Sequence, residues 1–220
     1  MDYNFNFAAV WRDFDLLLSG LGLGLILAVV SIAIGCLIGL FLAFGMLSKK
    51  RPIRWAATVY VSAFRNTPIL VLILFTFFAL PELGIRLGKI ESFIVTLAVY
   101  SGAYLTEVFR SGLVSLPSGL REAGLTIGLT ESRTKILITI PVMFRRVLPA
   151  LGNNFISLFK DTSLAAAIAV PELTFYARKI NVETFRVIET WMVASLIYVL
   201  ACSIIAAILR RIESRLSIPR

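Results

Sequence analysis

Thirty-three consecutive residues, Leu16 to Ser48, carry no charge at all. A helix needs only about 20 mostly apolar residues to cross the hydrocarbon of a bilayer, so a run of this length has no place in a water-soluble core. Four more runs follow. Trp55 to Leu80 carries only Arg65, and Ser92 to Leu113 has Glu107 and Arg110 near its end. Val147 to Val170 has Lys160 and Asp161 in mid-run, and Thr190 to Leu209 is free of charge. With 58% hydrophobic and 16% charged residues among 220, one soluble core could not hide the apolar excess. The sequence predicts an all-α integral membrane protein of about five transmembrane helices. The fourth run is open to a second reading as two half-helices, since Lys160-Asp161 interrupts it and Pro171 closes it.

The net charge of +9 would suggest nucleic acid in a soluble protein, but here the basic residues are divided by hydrophobic spans and share no single face. Their distribution reads instead as sidedness. The segments Lys49 to Arg54, Arg110 to Arg146 and Arg210 to Arg220 hold fourteen Lys/Arg, whereas the N-terminal segment and the loops near Glu82 to Glu91 and Glu172 to Glu189 hold six. Basic loops stay cytoplasmic, which puts the N-terminus outside and the C-terminus inside, as five spans require. Asp2, Asp13 and Asp15 in place of a basic leader, followed by an overlong apolar run, argue against a cleavable signal peptide.

There is no histidine, which removes the commonest general base and metal ligand. Cys36 and Cys202 lie inside apolar runs and read as buried small hydrophobes, so no metal site and no catalytic residue is expected. The nearest approach to a phosphate-binding loop, Gly84-Ile85-Arg86-Leu87-Gly88-Lys89-Ile90, is one residue short and lacks the hydroxyl. Gly35 and Gly39 have the spacing that allows close helix packing.

Between the third and fourth runs lies a long amphipathic stretch. Leu116-Pro117-Ser118-Gly119 supplies a turn, and Ser118 with Glu122 predicts a capped helix from about Leu120. Arg121-Glu122-Ala123-Gly124, three residues, Gly128, nine residues and Ile138-Thr139-Ile140-Pro141 follow. This pattern resembles the EAA motif of ABC importer permease subunits, with Gly124 in place of the third Ala and Ile140 in place of Leu. Phe64-Arg65-Asn66-Thr67-Pro68, Tyr104 to Arg110 and Phe159 to Leu164 are similar to recurring stretches of the polar amino-acid (histidine/glutamine/glutamate-type) permeases.

The resemblance implies a single type I ABC importer transmembrane domain over 1–220, with a cytoplasmic coupling loop at about 114–146. It implies a second permease subunit, either the same chain or a paralogue, an ABC ATPase dimer on the cytoplasmic loops and a periplasmic amino-acid-binding protein outside. ATP and Mg would be bound by the ATPase and no cofactor by this chain, a non-enzymatic permease of the bacterial inner membrane. Arg121, Glu122, Ala123, Gly124, Gly128 and Pro141 become the ATPase-coupling candidates, with Gly128 ending the short helix.

Charges at membrane depth cost about 2.5 to 3.5 kcal/mol each on insertion scales, so they face a cavity or a partner. Two readings stay open for Arg65, Asn66, Thr67, Lys160, Asp161, Thr162 and Ser163. In one, Arg65 and Asp161 form an interhelical pair and Lys160 snorkels. In the other, the seven line a cavity and hold the zwitterion of an amino acid. Glu107 and Arg110, three apart, form a local ion pair near the cytoplasmic end. The function expected is an ATP-driven importer permease for polar or charged amino acids; the alternatives are a permease for another small solute and a non-transporting membrane scaffold.

Overall fold

The first long helix organises the rest. In the computed structural model, which describes residues 3–216, a short α1 (Ala8–Arg12) leads into α2 (Phe14–Met46). Helix α2 makes its most extensive contact with α5 (Lys89–Val114). The glycine pair accounts for that closeness. A Cβ on Gly39 would sit 2.9 Å from Leu105 Cβ and 3.0 Å from the Leu105 carbonyl carbon, so only glycine lets the backbones meet. No strand occurs among the described residues.

Between these two helices the chain makes α3 (Arg51–Arg65) and, after a break, α4 (Ile69–Leu74), which continues through a π turn (Phe75–Ala79) and a 3-10 turn (Leu80–Leu83). The two halves are bent by 100°. Five spans are therefore present if this broken pair counts as one; the others are α2, α5, the helix Glu131–Ile168 and α10 (Val187–Leu216).

The fourth span departs from expectation. It is not two half-helices: it runs 38 residues without a sharp bend, from α7 (Glu131–Thr134) through a π turn (Lys135–Thr139) and α8 (Ile140–Asp161) into a 3-10 segment (Thr162–Ile168). The 131–146 half of the expected loop is thus the beginning of this helix. Proline is absorbed rather than obeyed. Each π turn ends two residues before a proline, Ala79 before Pro81 and Thr139 before Pro141, where the ring would otherwise collide with the carbonyl one turn back.

The outer loop expected at 172–189 is mostly a helix, α9 (Leu173–Thr184). Its N-cap is the fully buried Glu172, which accepts from the Thr174 and Phe175 backbone N–H groups at 2.9 and 2.8 Å and from the Tyr198 hydroxyl at 2.9 Å. Burial pushes this carboxyl above the usual range, against the pull of those donors. Leu173, Ala177 and Ile180 then close a small second core with Val10, Leu17 and Val193. Asp2 and Arg220, counted in the charge balance, lie outside the described residues.

Candidate functional site

The break in the second span is built by its own sequence. Pro68 cannot donate to the turn before it and disfavours helical geometry at Thr67, so α3 must stop. Side chains close the last turn of α3: the Ser62 carbonyl, which keeps the Asn66 backbone N–H at 3.2 Å, also accepts from the Asn66 amide nitrogen at 2.8 Å, and the Ala63 carbonyl accepts from the Thr67 hydroxyl at 2.8 Å. The Tyr60 hydroxyl fastens α3 to the middle of α5 through the Val99 carbonyl at 2.7 Å. The break thus falls beside the middle of α5, where irregular backbone survives only against protein or a polar cavity.

Arg65 does not pair with Asp161, as one sequence reading expected. Its guanidinium lies 5.3 Å from the centroid of the Tyr104 ring, over the face, where the ring quadrupole attracts a cation. The Tyr104 hydroxyl accepts from Tyr100 at 3.1 Å. A mostly polar cavity of about 280 Å³ opens here, lined by Thr58, Ser62, Arg65, Asn66, Tyr104 and Glu107. Glu107 is held by Arg110 through two hydrogen bonds of 2.7 and 2.9 Å, the local pair that three-residue spacing predicted.

Of the seven candidate substrate residues, Arg65 and Asn66 line this cavity and Thr67 closes the helix beside it. Lys160 is exposed and Asp161 half-buried at the end of α8, and among the described residues no opposite charge lies within 4.0 Å of Arg65, Lys160 or Asp161. Asp161 does not line the Arg65 cavity. Thr162 turns away. It is buried against α2 near Gly24, and its hydroxyl is spent on the Phe159 carbonyl at 2.7 Å. Ser163 is half-buried in the 3-10 turn. The two tyrosines were missed in the sequence, although Tyr100, Tyr104 and Glu107 fall on one helical face at spacings of four and three.

The second candidate region is α6 (Ser118–Thr126). It begins at Ser118, not at Leu120, and Ser118 is not its cap: Pro117, at φ −60° and ψ 138°, presets the turn, and no side chain caps the helix. Its end is as expected. Gly128 has φ +86°, the Leu129 N–H bonds the Gly124 carbonyl at 3.1 Å and the Gly128 N–H bonds Leu125 at 3.0 Å, which is the doubly bonded helix stop that a left-handed glycine permits. Thr130 then caps α7 by accepting from the Arg133 N–H at 3.3 Å.

Gly124 sets the angle between the two arms of this turn. A Cβ there would lie 2.6 Å from Thr134 Cγ2 and 3.1 Å from Ile138 Cδ1, so the replacement of Ala by Gly is where the arms touch rather than a loss of stiffness. Arg121 bridges the arms to Glu131 by an ion pair and a second hydrogen bond of 3.1 Å. Arg121 holds the Glu131 carboxyl below its usual range, with Lys135 and Lys49 adding to the effect. Glu122 and Ala123 are exposed on the outer face of α6, free for a partner surface, while Pro141 sits beyond the π turn inside the span.

Residues 32–218 match the family described as binding-protein-dependent transport system inner membrane components. The chain belongs to this family. Among its relatives, the glutamine transport system permease protein GlnP of Escherichia coli K12 is 36% identical over 216 residues, covering 97% of this chain and 99% of that protein. The L-cystine transport system permease protein TcyB of Bacillus subtilis is 37% identical over 191 residues, 86% and 82% of the two chains. A solved structure described as an amino acid ABC transporter with histidines superposes with a TM-score of 0.87 at 30% identity, over 97% of this chain and 100% of that one. The MetNI methionine ABC transporter superposes at 0.80 over 94% and 99%, but at 19% identity it speaks for the fold alone. As a member of this family, the chain is a multi-pass inner-membrane permease component.

Proposed function

We propose that this chain is the permease subunit of an ATP-driven importer for polar or charged amino acids. The observation that carries the reading is the correspondence, over nearly the full length of both chains, with a glutamine permease. The geometry is in keeping with it. The broken span sets Arg65 and Asn66 with Tyr104 around one polar cavity, which suits the carboxylate of a zwitterion, while the half-buried Asp161 at the end of α8 is the carboxylate offered for its ammonium.

The chain's own part in transport is to bind and to move. Arg65, held over the Tyr104 face rather than neutralised by a carboxylate, keeps hydrogen-bonding capacity for an incoming carboxylate. The exposed Glu122 and Ala123 of α6 form the surface on which an ABC ATPase docks, with ATP and Mg held by that partner and no cofactor by this chain. The segment 114–146 acts as the coupling element: because the α7 arm is continuous with the fourth span up to Lys160 and Asp161, a push on α6 is delivered along a rigid rod to the site. Ser163 and Thr162 fix the end of that rod. A second permease, of the same chain or a paralogue, completes the passage, and a periplasmic binding protein delivers substrate to the outer face. The N-terminus is outside and the C-terminus cytoplasmic; nucleic acid has no part in it.

Co-reconstitution with the ATPase and binding protein tests this. Glutamine, glutamate, histidine and arginine are supplied in turn, and ATP turnover is read with uptake. At least one of them stimulates both in the parent, and Gly128→Asp uncouples ATP turnover from uptake. Turnover and uptake unmoved by every polar amino acid would overturn the substrate reading; normal uptake per ATP in Gly128→Asp would overturn the coupling role.

A further inference from the structure

Between the ends of α2 and α5 and the inner side of α6 lies a cavity of about 720 Å³ that neither the substrate path nor the ATPase surface uses. Its floor is apolar, with Phe44 and Leu47 from α2, Leu113 and Leu116 from the end of α5, and Leu120 from α6. Its rim is basic. Lys49, Arg121 and Lys135 surround one carboxylate, Glu131, and that carboxylate is already committed to Arg121. The Lys135 ammonium lies 5.9 Å from the centroid of the Phe44 ring, directly above the floor. Two lysine charges are left over an oily basin.

We infer that this cavity seats one anionic phospholipid, its phosphate between Lys49 and Lys135 and the first part of its acyl chains on the floor formed by Phe44, Leu47 and Leu113. Three observations select that occupant. The cavity sits where two spans leave the hydrocarbon, the depth at which a headgroup meets its chains. Its lining combines apolar side chains with cationic ones, whereas a small hydrated anion would gain nothing from the apolar part. The basic surface continues through Lys50, Arg51 and Arg54 to Trp55, 70% exposed at the start of α3, a residue type enriched at the headgroup level. The bound lipid fills the space behind α6 and so restrains the α6 arm against the ends of α2 and α5. The inference needs only that α2 and α5 cross the bilayer, and stands apart from the identity of the substrate or motor.

The test uses the purified full-length chain in mild detergent, titrated with phosphatidylglycerol or phosphatidylcholine, with retained lipid counted by native mass spectrometry. Phosphatidylglycerol is retained in preference. A Lys49→Gln/Lys135→Gln variant loses about thirtyfold in its retention, the scale expected for two lysine contacts with an anionic headgroup. The Lys49→Arg/Lys135→Arg variant keeps it, and so does Arg54→Gln, whose charge is outside the cavity. Thermal unfolding without added lipid is unchanged in the arginine and Arg54 variants and shifts only slightly in the double glutamine variant, by the loss of the Lys135–Phe44 contact, which separates lost binding from lost folding. Equal retention of the two lipids, or undiminished retention in the double glutamine variant, would overturn the inference. Displacement of the lipid by inorganic phosphate would replace it with a free-anion site.

Discussion

The second and fourth spans both contain proline and charge, yet one is bent by 100° and the other runs straight through. Proline is therefore not what distinguishes them. In the fourth span, Pro141 follows a π turn whose extra residue moves the obstructed carbonyl aside, and Ile140 keeps helical angles at φ −63° and ψ −51°. In the second, Pro68 has ψ 131° and is preceded by two residues whose side chains close the carbonyls of the turn behind them. Both prolines have a backward-donating neighbour, two bonds of 2.8 Å before Pro68 and one longer bond of 3.4 Å from the Thr139 hydroxyl to the Thr134 carbonyl before Pro141; what differs is that the π turn keeps the chain helical at Ile140, whereas Pro68 is extended. The broken span holds residues in place around a cavity; the straight one can carry displacement from α6 to that cavity.

Removing those donors has the largest expected effect. Asn66→Leu combined with Thr67→Val removes the side-chain donors to the Ser62 and Ala63 carbonyls, each bond worth about 0.5–1.5 kcal/mol, although Ser62 keeps the Asn66 backbone N–H at 3.2 Å. The midpoint of thermal unfolding in detergent falls. The same double removal at the straight span, Lys160→Leu with Asp161→Leu, leaves the midpoint unchanged or raises it, because no ion pair is lost, while uptake is abolished. Equal destabilisation by the two double variants would erase the distinction between a break that is chemically supported and charges that are held for function.

The lever gives an effect of similar kind and smaller size. Gly124→Ala restores the residue the EAA pattern has there, yet its Cβ would meet Thr134 at 2.6 Å, and such overpacking costs about 1–3 kcal/mol. Thr134→Ala added to it removes the opposing methyl and a buried hydroxyl that has no partner, and so restores stability and coupling. A double variant no better than Gly124→Ala alone would show that the arms are not set by this contact.

Arg65→Gln comes next. It removes a cation stacked on Tyr104, worth about 0.5–2 kcal/mol, from a residue that makes no ion pair. Affinity for amino acid in the reconstituted transporter falls about 2- to 30-fold, by calorimetry, with little change in unfolding. Arg65→Lys recovers part of the affinity, since it returns the charge without the planar fork. Unaltered affinity in Arg65→Gln would confine the residue to bracing the break against α5.

Much of this was legible in the residues alone. Spans declare themselves as charge-free runs because nothing else tolerates them, Gly128 was required by the stop of a short helix, and the pairing of Glu107 with Arg110 follows from helical spacing. Pro68, with no N–H to donate and polar residues before it, also marks a kink in the second run from sequence alone. What the sequence could not give was the size of that bend, which depends on whether Asn66 and Thr67 bond backward along their own helix, or the continuity of the fourth span, where adjacent opposite charges resembled an interruption. Helix α9 was hidden for another reason: its cap is an acidic residue that reads as an outer-loop charge, and its burial depends on α2 and α10 arriving from distant parts of the chain. Tyr100 and Tyr104 were not among the candidate site residues, because only the fold brings Arg65 over the Tyr104 ring.

The smallest expected effect concerns the two arms of the lever. Arg121 depresses the Glu131 carboxyl in the folded chain, so the contact is fully present above the unfolded carboxylate range, near pH 4 to 5, and is lost as pH falls through the lower folded value. Both side chains are solvent-exposed, so the change in overall stability is slight. Local mobility is the sensitive readout. Amide exchange, corrected for its intrinsic pH dependence, should quicken in 120–132 as the pH is lowered below 4, while α3 and α5 around the break, whose fastening rests on neutral donors, keep their protection. Glu131→Gln should show the low-pH mobility of 120–132 already at pH 7. If that variant stays as protected as the parent, the arms are held by the Gly124 contact and the Gly128 stop alone, and the ion pair is surface decoration on a hinge that is closed by backbone geometry.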